Sequence, residues 1–104
     1  MWMNIVTKPT VIYYAKKYPV ASSSLLSWYK HFSKAEFNNF NALKNVYNNA
    51  SIINNKRIIF NIKGNSHRLI ISVNFTRQAE YIIWFGTHNE YDKIDAATIP
   101  YLEL

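Results

Sequence analysis

At 104 residues the chain has room for one hydrophobic core and one functional surface, so residues 1–104 are expected to form a single domain. It has no cysteine, which excludes a disulfide framework and thiol chemistry. No apolar run approaches the ~20 residues of a membrane helix and no apolar h-region opens the chain, so the sequence predicts a soluble cytoplasmic protein. The formal charge of +6 is uneven: residues 1–79 carry a balance of +10, with Glu36 their one acid, and residues 80–104 a balance of −4. A basic body of this kind suits a polyanion, and the acidic end suits a basic partner or screens the body itself.

In chain order, Met3 to Thr7 is a short strand candidate, with Thr7 as a helix cap and Pro9 in the first turn, where a missing N–H costs little. Val11, Tyr14, Ala15 and Tyr18 then recur at the spacing of one helix face until Pro19 ends it. A second helix from about Ala21 carries Leu25, Trp28, Tyr29 and Phe32 on its stripe and leaves Ser27, Lys30 and His31 off it. Asn38 to Asn49 is asparagine-rich, with Leu43, Val46 and Tyr47 allowing one short helix. Strands follow at Arg57–Lys63, Ser66–Phe75 and Glu80–Thr87, with turns at Gly64-Asn65 and around Arg77-Gln78. The order predicts an α+β fold: two N-terminal helices packed on one face of a twisted antiparallel meander, with a short C-terminal helical segment.

The run from Ile59 to Ile70 is the most informative. If Gly64-Asn65 is the turn, Ile62 faces His67, Asn61 faces Arg68 and Arg57 faces Ser72. Because side chains alternate across a strand, Arg57, Asn61, Lys63, Arg68 and Ser72 then share one face with Ile59 and Ile70, while Ile58, Phe60, Ile62, Leu69, Ile71 and Val73 form the other. One face is a core; the other gathers cations and an amide in a way that suits phosphate. His67 belongs to the apolar face, as a packed core-edge residue.

The second informative stretch runs from Phe85 to Asp95. It leaves the last strand through Gly86 and brings His88, Tyr91, Lys93 and three carboxylates into a few residues. His88 is the strongest acid–base candidate by residue type, since histidine exchanges protons near neutral pH; a strand-end cap beside solvated charges is the bland alternative. His31, His67 and His88 are far apart in sequence and no metal-ligand spacing is present, so neither metal nor cofactor is expected.

Asn61-Ile62-Lys63-Gly64-Asn65 with Arg68-Leu69-Ile70, followed by Gly86-Thr87-His88-Asn89-Glu90-Tyr91-Asp92-Lys93-Ile94-Asp95, resembles the HigB toxin family of RelE-like toxins from type II toxin–antitoxin systems. Leu25-Leu26-Ser27-Trp28-Tyr29-Lys30 and Asn55-Lys56-Arg57 extend the resemblance, which covers roughly Ile5 to Ile99. It implies a RelE-like fold and a metal-independent endoribonuclease that cuts messenger RNA, typically on the ribosome, and so inhibits translation. It also implies a HigA-like helix-turn-helix antitoxin partner, through which alone DNA would be contacted.

With that chemistry, Lys63 and Arg68 are assigned to phosphate and transition-state charge, and His88 to proton transfer, with Tyr91 and Lys93 as nearby donors; Tyr91 stacking on a base is the alternative. Arg57, Asn61, Asn65, Lys30 and Lys34 are assigned to RNA contacts, against a plain solvated surface for the helical lysines. The acidic stretch from Glu90 to Glu103 is expected beside the site, where it meets a basic antitoxin surface or orders the site residues. Two departures from the family pattern, Ser66-His67 after the Gly-Asn turn and Ile83 where an arginine is common, remove cations and would weaken RNA binding. A non-catalytic RNA- or ribosome-binding module is the competing function, and a purely structural α+β domain the third.

Overall fold

The computed structural model describes residues 4–5 and 8–102. In chain order it contains β1 (Asn4–Ile5), α1 (Lys8–Lys17), a 3-10 turn (Pro19–Ala21), α2 (Ser22–Ser33), α3 (Phe40–Val46), β2 (Ser51–Ile52), β3 (Arg57–Ile62), β4 (His67–Asn74), β5 (Ala79–Thr87) and α4 (His88–Tyr91). The five strands form one sheet in the order β1-β5-β4-β3-β2. β2 to β5 make the expected antiparallel meander; β1 adds to β5 in parallel, the pairing that a strand reached through a long crossover adopts. The expected cap at Thr7 lies outside the described residues.

Each helix is delimited by local chemistry. Pro9 occupies the first turn of α1 and Lys16 and Lys17 its last turn, where cations complement the carbonyl end of the helix dipole. Pro19 breaks the chain into the 3-10 turn, and Ala21 N–H donates to the Tyr18 carbonyl at 3.0 Å before α2 begins. Of the expected α2 stripe, Leu25, Trp28 and Phe32 are buried and Tyr29 is partly buried against the same core. The Asn39 side chain caps α3 by accepting from Ala42 N–H at 2.8 Å.

Under the helices, the sheet presents Ile58, Phe60, Ile62, Leu69, Ile71, Val73, Ile82 and Phe85 to one continuous core. Its centre is aromatic: Trp28 and Phe32 stack at 5.0 Å, and Phe60 meets the Tyr47 ring edge-on at 5.2 Å. The register of β3 with β4 runs from Arg57↔Ser72 to Ile62↔His67, so the predicted faces are those observed. The tip differs. Positive φ falls on Lys63 (53°) and Gly64 (63°) instead of Gly64 and Asn65, so the turn takes four residues and strand alternation stops before Lys63.

The opposite face is not open along its length. Ile59, Ile70 and Ile83 form a second, smaller apolar cluster, covered by Tyr91, Ile94, Ala96 and Ile99 from the chain after β5. A bulge builds this face. Ile70 pairs with Trp84 and Ile71 with Ile82, so Ile83 has no opposite number and both Ile83 and Trp84 turn to the same side.

Candidate active site

Arg68 leaves β4 on the second face, directly opposite Asn61 on β3 and Gly86 on β5. Its Nη1 donates to the carbonyls of Asn65 (3.0 Å) and His67 (3.2 Å), which anchors one end of the guanidinium to the hairpin tip. The guanidinium lies over the Tyr91 ring, 6.0 Å from its centroid, and Tyr91 in turn leans on Trp84 at 6.3 Å. The remaining N–H groups of Arg68 form no hydrogen bond with the described residues, which is the arrangement a bidentate phosphate donor requires.

Gly86 makes this packing possible. A Cβ there would stand 2.6 Å from Trp84 Cη2 and 3.0 Å from Glu90 Oε1. The indole therefore lies across the strand backbone and fixes the wall on which Tyr91 rests.

His88 opens α4 immediately after β5, and its N–H donates to the Ser66 carbonyl at 2.9 Å, tying the helix to the hairpin tip. Thr87 and Glu90 form a reciprocal capping box: Thr87 Oγ1 accepts from Glu90 N–H at 3.2 Å, and Glu90 Oε1 accepts from Thr87 N–H at 2.8 Å. This turn holds His88 with half of its side chain exposed, its Nδ1 3.9 Å from Asp92 Oδ2. Lys93 is exposed on the following turn.

Glu90 also accepts from Tyr18 Oη at 2.9 Å, joining the end of α1 to α4. The backbone N–H of Thr87, with help from Tyr18 and Lys17, holds its carboxyl below the usual range, while burial and the Glu90 acceptor push the Tyr18 phenol up. The sequence marks Tyr18 only as part of the first helix stripe and Glu90 only as the start of the acidic stretch beside the site. The Thr87-x-x-Glu90 capping pattern was the available signal, and it marks Glu90 as an internal acceptor.

Among the sequence-derived candidates, the structure brings Arg68, Asn65, His88, Tyr91 and Lys93 to one end of the sheet. Asn61 lies beside Arg68 and is exposed. Lys63 is at the same tip, but its positive φ sends Nζ to the Val20 carbonyl at 3.0 Å, on the side of the helices. Arg57 is four residues further down the face, with Nη1 donating to the Ala96 carbonyl at 2.9 Å. Lys30 and Lys34 lie at the end of α2, on the helix side of the sheet and away from Arg68.

The acidic end is also partly internal: Glu80 is buried in the sheet, Glu90 is engaged as above, and Asp95 Oδ1 accepts from Ala97 N–H at 3.1 Å. Glu103 lies outside the described residues. His67 is buried as expected, stacked on Phe85 at 5.4 Å with Tyr18 at its edge and Ser66 Oγ 2.7 Å from Nδ1.

No helix among the described residues is long and apolar enough to cross a membrane, and no three His, Asp or Glu side chains among them converge in a metal-binding group. A family model described as HigB_toxin, RelE-like toxic component of a toxin-antitoxin system, matches residues 21–94. The chain is 27% identical over 94 residues to a protein named mRNA interferase HigB from Escherichia coli O6:H1 (strain CFT073), covering 88% of this chain and 91% of that one. It is 30% identical over 92 residues to the mRNA interferase toxin HigB of Escherichia coli strain K12, covering 86% and 88%. The family match spans α2, the tip that carries Arg68 and the turn that carries His88, and this chain belongs to the HigB toxin family, the RelE-like toxic components of toxin–antitoxin systems.

Proposed function

We propose that the chain cuts messenger RNA at the end of the sheet formed by Arg68, His88 and Tyr91, and that it does so as the toxin of a type II toxin–antitoxin pair. Its family is that of toxic components of toxin–antitoxin systems, and its relatives are named mRNA interferases. The observation that supports placing it here is the convergence of a tip-anchored guanidinium, an aromatic hydroxyl and a half-exposed histidine on one edge.

Cleavage by the substrate's own 2′-OH needs four things from the protein. The adjacent phosphate must be held in line, a proton must leave the 2′-oxygen, charge must be balanced as the 2′-O–P bond forms, and a proton must reach the 5′-oxygen as its bond to phosphorus breaks. Arg68 supplies the charge and the orientation, its plane steadied on the Tyr91 ring. His88, with Asp92 Oδ2 3.9 Å from its Nδ1, exchanges the proton with one of the two oxygens. When His88 takes the proton of the 2′-oxygen, Tyr91 and Lys93 are the nearby donors that give one to the departing 5′-oxygen. These side chains provide each step without a metal ion.

Lys63, Asn61 and Asn65 surround this edge and contact the RNA backbone, and Lys30 and Lys34 extend the basic surface on the helix side. The partner is a HigA-like helix-turn-helix antitoxin, the substrate is mRNA held in the ribosome, and the compartment is the cytoplasm.

The test is induction of the wild-type chain and of His88→Ala in bacteria, with growth recorded and mRNA ends mapped by primer extension. Growth arrest with new mRNA ends is expected, and His88→Ala should reduce cleavage by about 10²–10⁴-fold, the usual contribution of a positioned acid or base. Intact mRNA and normal growth, from folded wild-type protein, would replace the nuclease with a non-catalytic RNA or ribosome binder.

A further inference from the structure

At the other end of the face that carries Arg68, three paired residues, Arg57 on β3, Ser72 on β4 and Tyr81 on β5, lie in a row across the strands. Tyr81 is 39% exposed although it stands in the middle of a sheet, and it separates two recesses. One, of about 400 Å³, is walled by Arg57, Tyr101 and Ile83; the other, of about 380 Å³, by Lys56, Asn55, Asn74 and Thr76. Ser72 and Tyr81 line both. Each recess has a cation at its wall, and no carboxylate among the described residues lines either one.

The backbone that carries both cations is fixed, and so is the Arg57 side chain. Asn54 Oδ1 accepts from the backbone N–H of Lys56 (2.8 Å) and of Arg57 (2.9 Å), fixing the turn into β3, and Arg57 Nη1 is bound to the Ala96 carbonyl. An exposed aromatic ring between two recesses, each with a cation and with amide or hydroxyl groups, is the combination that single-stranded RNA recognition uses. The ring stacks bases, the cations take phosphate, and the amides read base edges. Cations with no carboxylate beside them among the described residues favour a polyanion over a peptide as the occupant.

We infer that the trough around Tyr81 is a second RNA-binding site, which takes bases of the same strand that is cut at the Arg68 end. This rests on the mRNA-cleaving reading above. The Arg57–Ser72–Tyr81 row lies four residues along the strands from the Asn61–Arg68–Gly86 row, roughly 13 Å. A strand spans that distance with about two to four nucleotides, between an extended and a stacked backbone. The segment from Tyr91 to Ile99 lies across the face between the two ends, so the RNA crosses over it. Bases outside the cleaved step thereby contribute to affinity and to register.

The experiment uses the full chain and fully 2′-O-methylated RNA, which lacks the attacking hydroxyl, in lengths from three to nine nucleotides, with 2-aminopurine placed at successive positions. Affinity should rise by about tenfold once the oligonucleotide is long enough to reach Tyr81, the scale of stacking one base. The 2-aminopurine at the reaching position should be quenched. Tyr81→Ala should remove both the step and the quench, Tyr81→Phe should keep both, and three-nucleotide RNA should bind all three proteins alike.

A smooth length dependence in the wild type, or a step that survives in folded Tyr81→Ala, would overturn the inference. So would a second short strand that binds beside the first in a Tyr81-dependent way, since the two ends would then serve different strands. The parent reading fails separately: if ordinary mRNA is left uncut by the wild type, the nuclease is wrong and this inference falls with it.

Discussion

The two faces of the sheet are built on different principles. The helix side is a thick aromatic core in which Phe32, Leu25 and Phe85 are almost wholly sealed from water. The other side has only a narrow apolar strip, Ile59, Ile70 and Ile83, under the segment from Tyr91 to Ile99. Both ends of that second face are left to polar side chains: Arg68, Tyr91 and His88 at the hairpin tip, Arg57, Ser72 and Tyr81 at the opposite end. The stability of the fold thus resides on one face, which frees the other to hold exposed, chemically costly groups.

This division is broken most directly by deleting volume under the helices. Phe32→Ala removes the ring at the meeting point of Trp28, Phe37, Tyr47 and Phe60. It should cost about 3–5 kcal/mol of stability, read as a lowered denaturant midpoint. A loss confined to RNA cleavage, with the midpoint unchanged, would show that the helix face is not where stability resides.

The helix face also contains its own exception. Glu80 is fully buried opposite Val73, and neither carboxylate oxygen has a hydrogen-bond partner among the described residues. Burial raises its pKa well above the ordinary value near 4.5. A raised carboxyl favours folding fully below the unfolded pKa, and that advantage is lost as pH rises through the folded pKa. Glu80→Leu should therefore stabilise the protein at neutral pH by about 1–3 kcal/mol, the scale of an unpaired buried polar group. The gain should shrink near pH 4, a comparison that thermal melts at the two pH values provide.

Much of this architecture was legible in the chain. Alternation in β3 and β4 gave the register pair by pair, and the Leu25, Trp28 and Phe32 spacing gave the buried stripe of α2. What escaped had non-local causes. Lys63 was placed with Arg68 by strand alternation, but the turn begins one residue early and its positive φ redirects the side chain. The second face looked like an open polar surface because the residues that cover it come from beyond the last strand, and no periodicity in β3 or β4 announces them. Glu80 enters the sequence only as one charge in the balance of the acidic end; the sheet shows it facing inward. At the candidate site, the hairpin register points to Arg68, residue type to His88 and the family resemblance to Tyr91, whereas Trp84 and Gly86, on which Tyr91 rests, have no chemistry to draw attention to them.

Gly86 sharpens the comparison from the other side. Gly86→Ala adds one methyl against the Trp84 ring, which has to move, and with it the wall beneath Tyr91. Overpacking of a half-buried ring should cost about 1 kcal/mol of stability, at the low end for such changes. RNA cleavage should fall by a larger factor than that loss explains, since Arg68 rests on the Tyr91 ring. Cleavage kinetics beside a denaturant titration separate the two. Equal cleavage in both proteins would release the Trp84 wall from any part in the site.

The smallest effect concerns the two histidines at the tip, one on each side of this division. His88 is half exposed, whereas His67 is boxed by Phe85 and Tyr18 with Ser66 at Nδ1. Burial, reinforced by the nearby Lys63 charge and opposed by Glu90, lowers the His67 pKa from the ordinary 6.5. A lowered histidine means that the unfolded chain binds the proton first. Its contribution to stability is therefore intact above pH 6.5, falls as pH drops below that, and levels off once the folded pKa is passed. The depressed Glu90 acts in the same direction, but its window opens only below about 4.5. Between pH 7.5 and 5 the wild type should lose more stability than His67→Phe, which keeps a ring against Phe85 but binds no proton. Parallel curves for the two proteins would mean that the imidazole protonates in place, and that the helix face reaches less far toward the tip than its packing indicates.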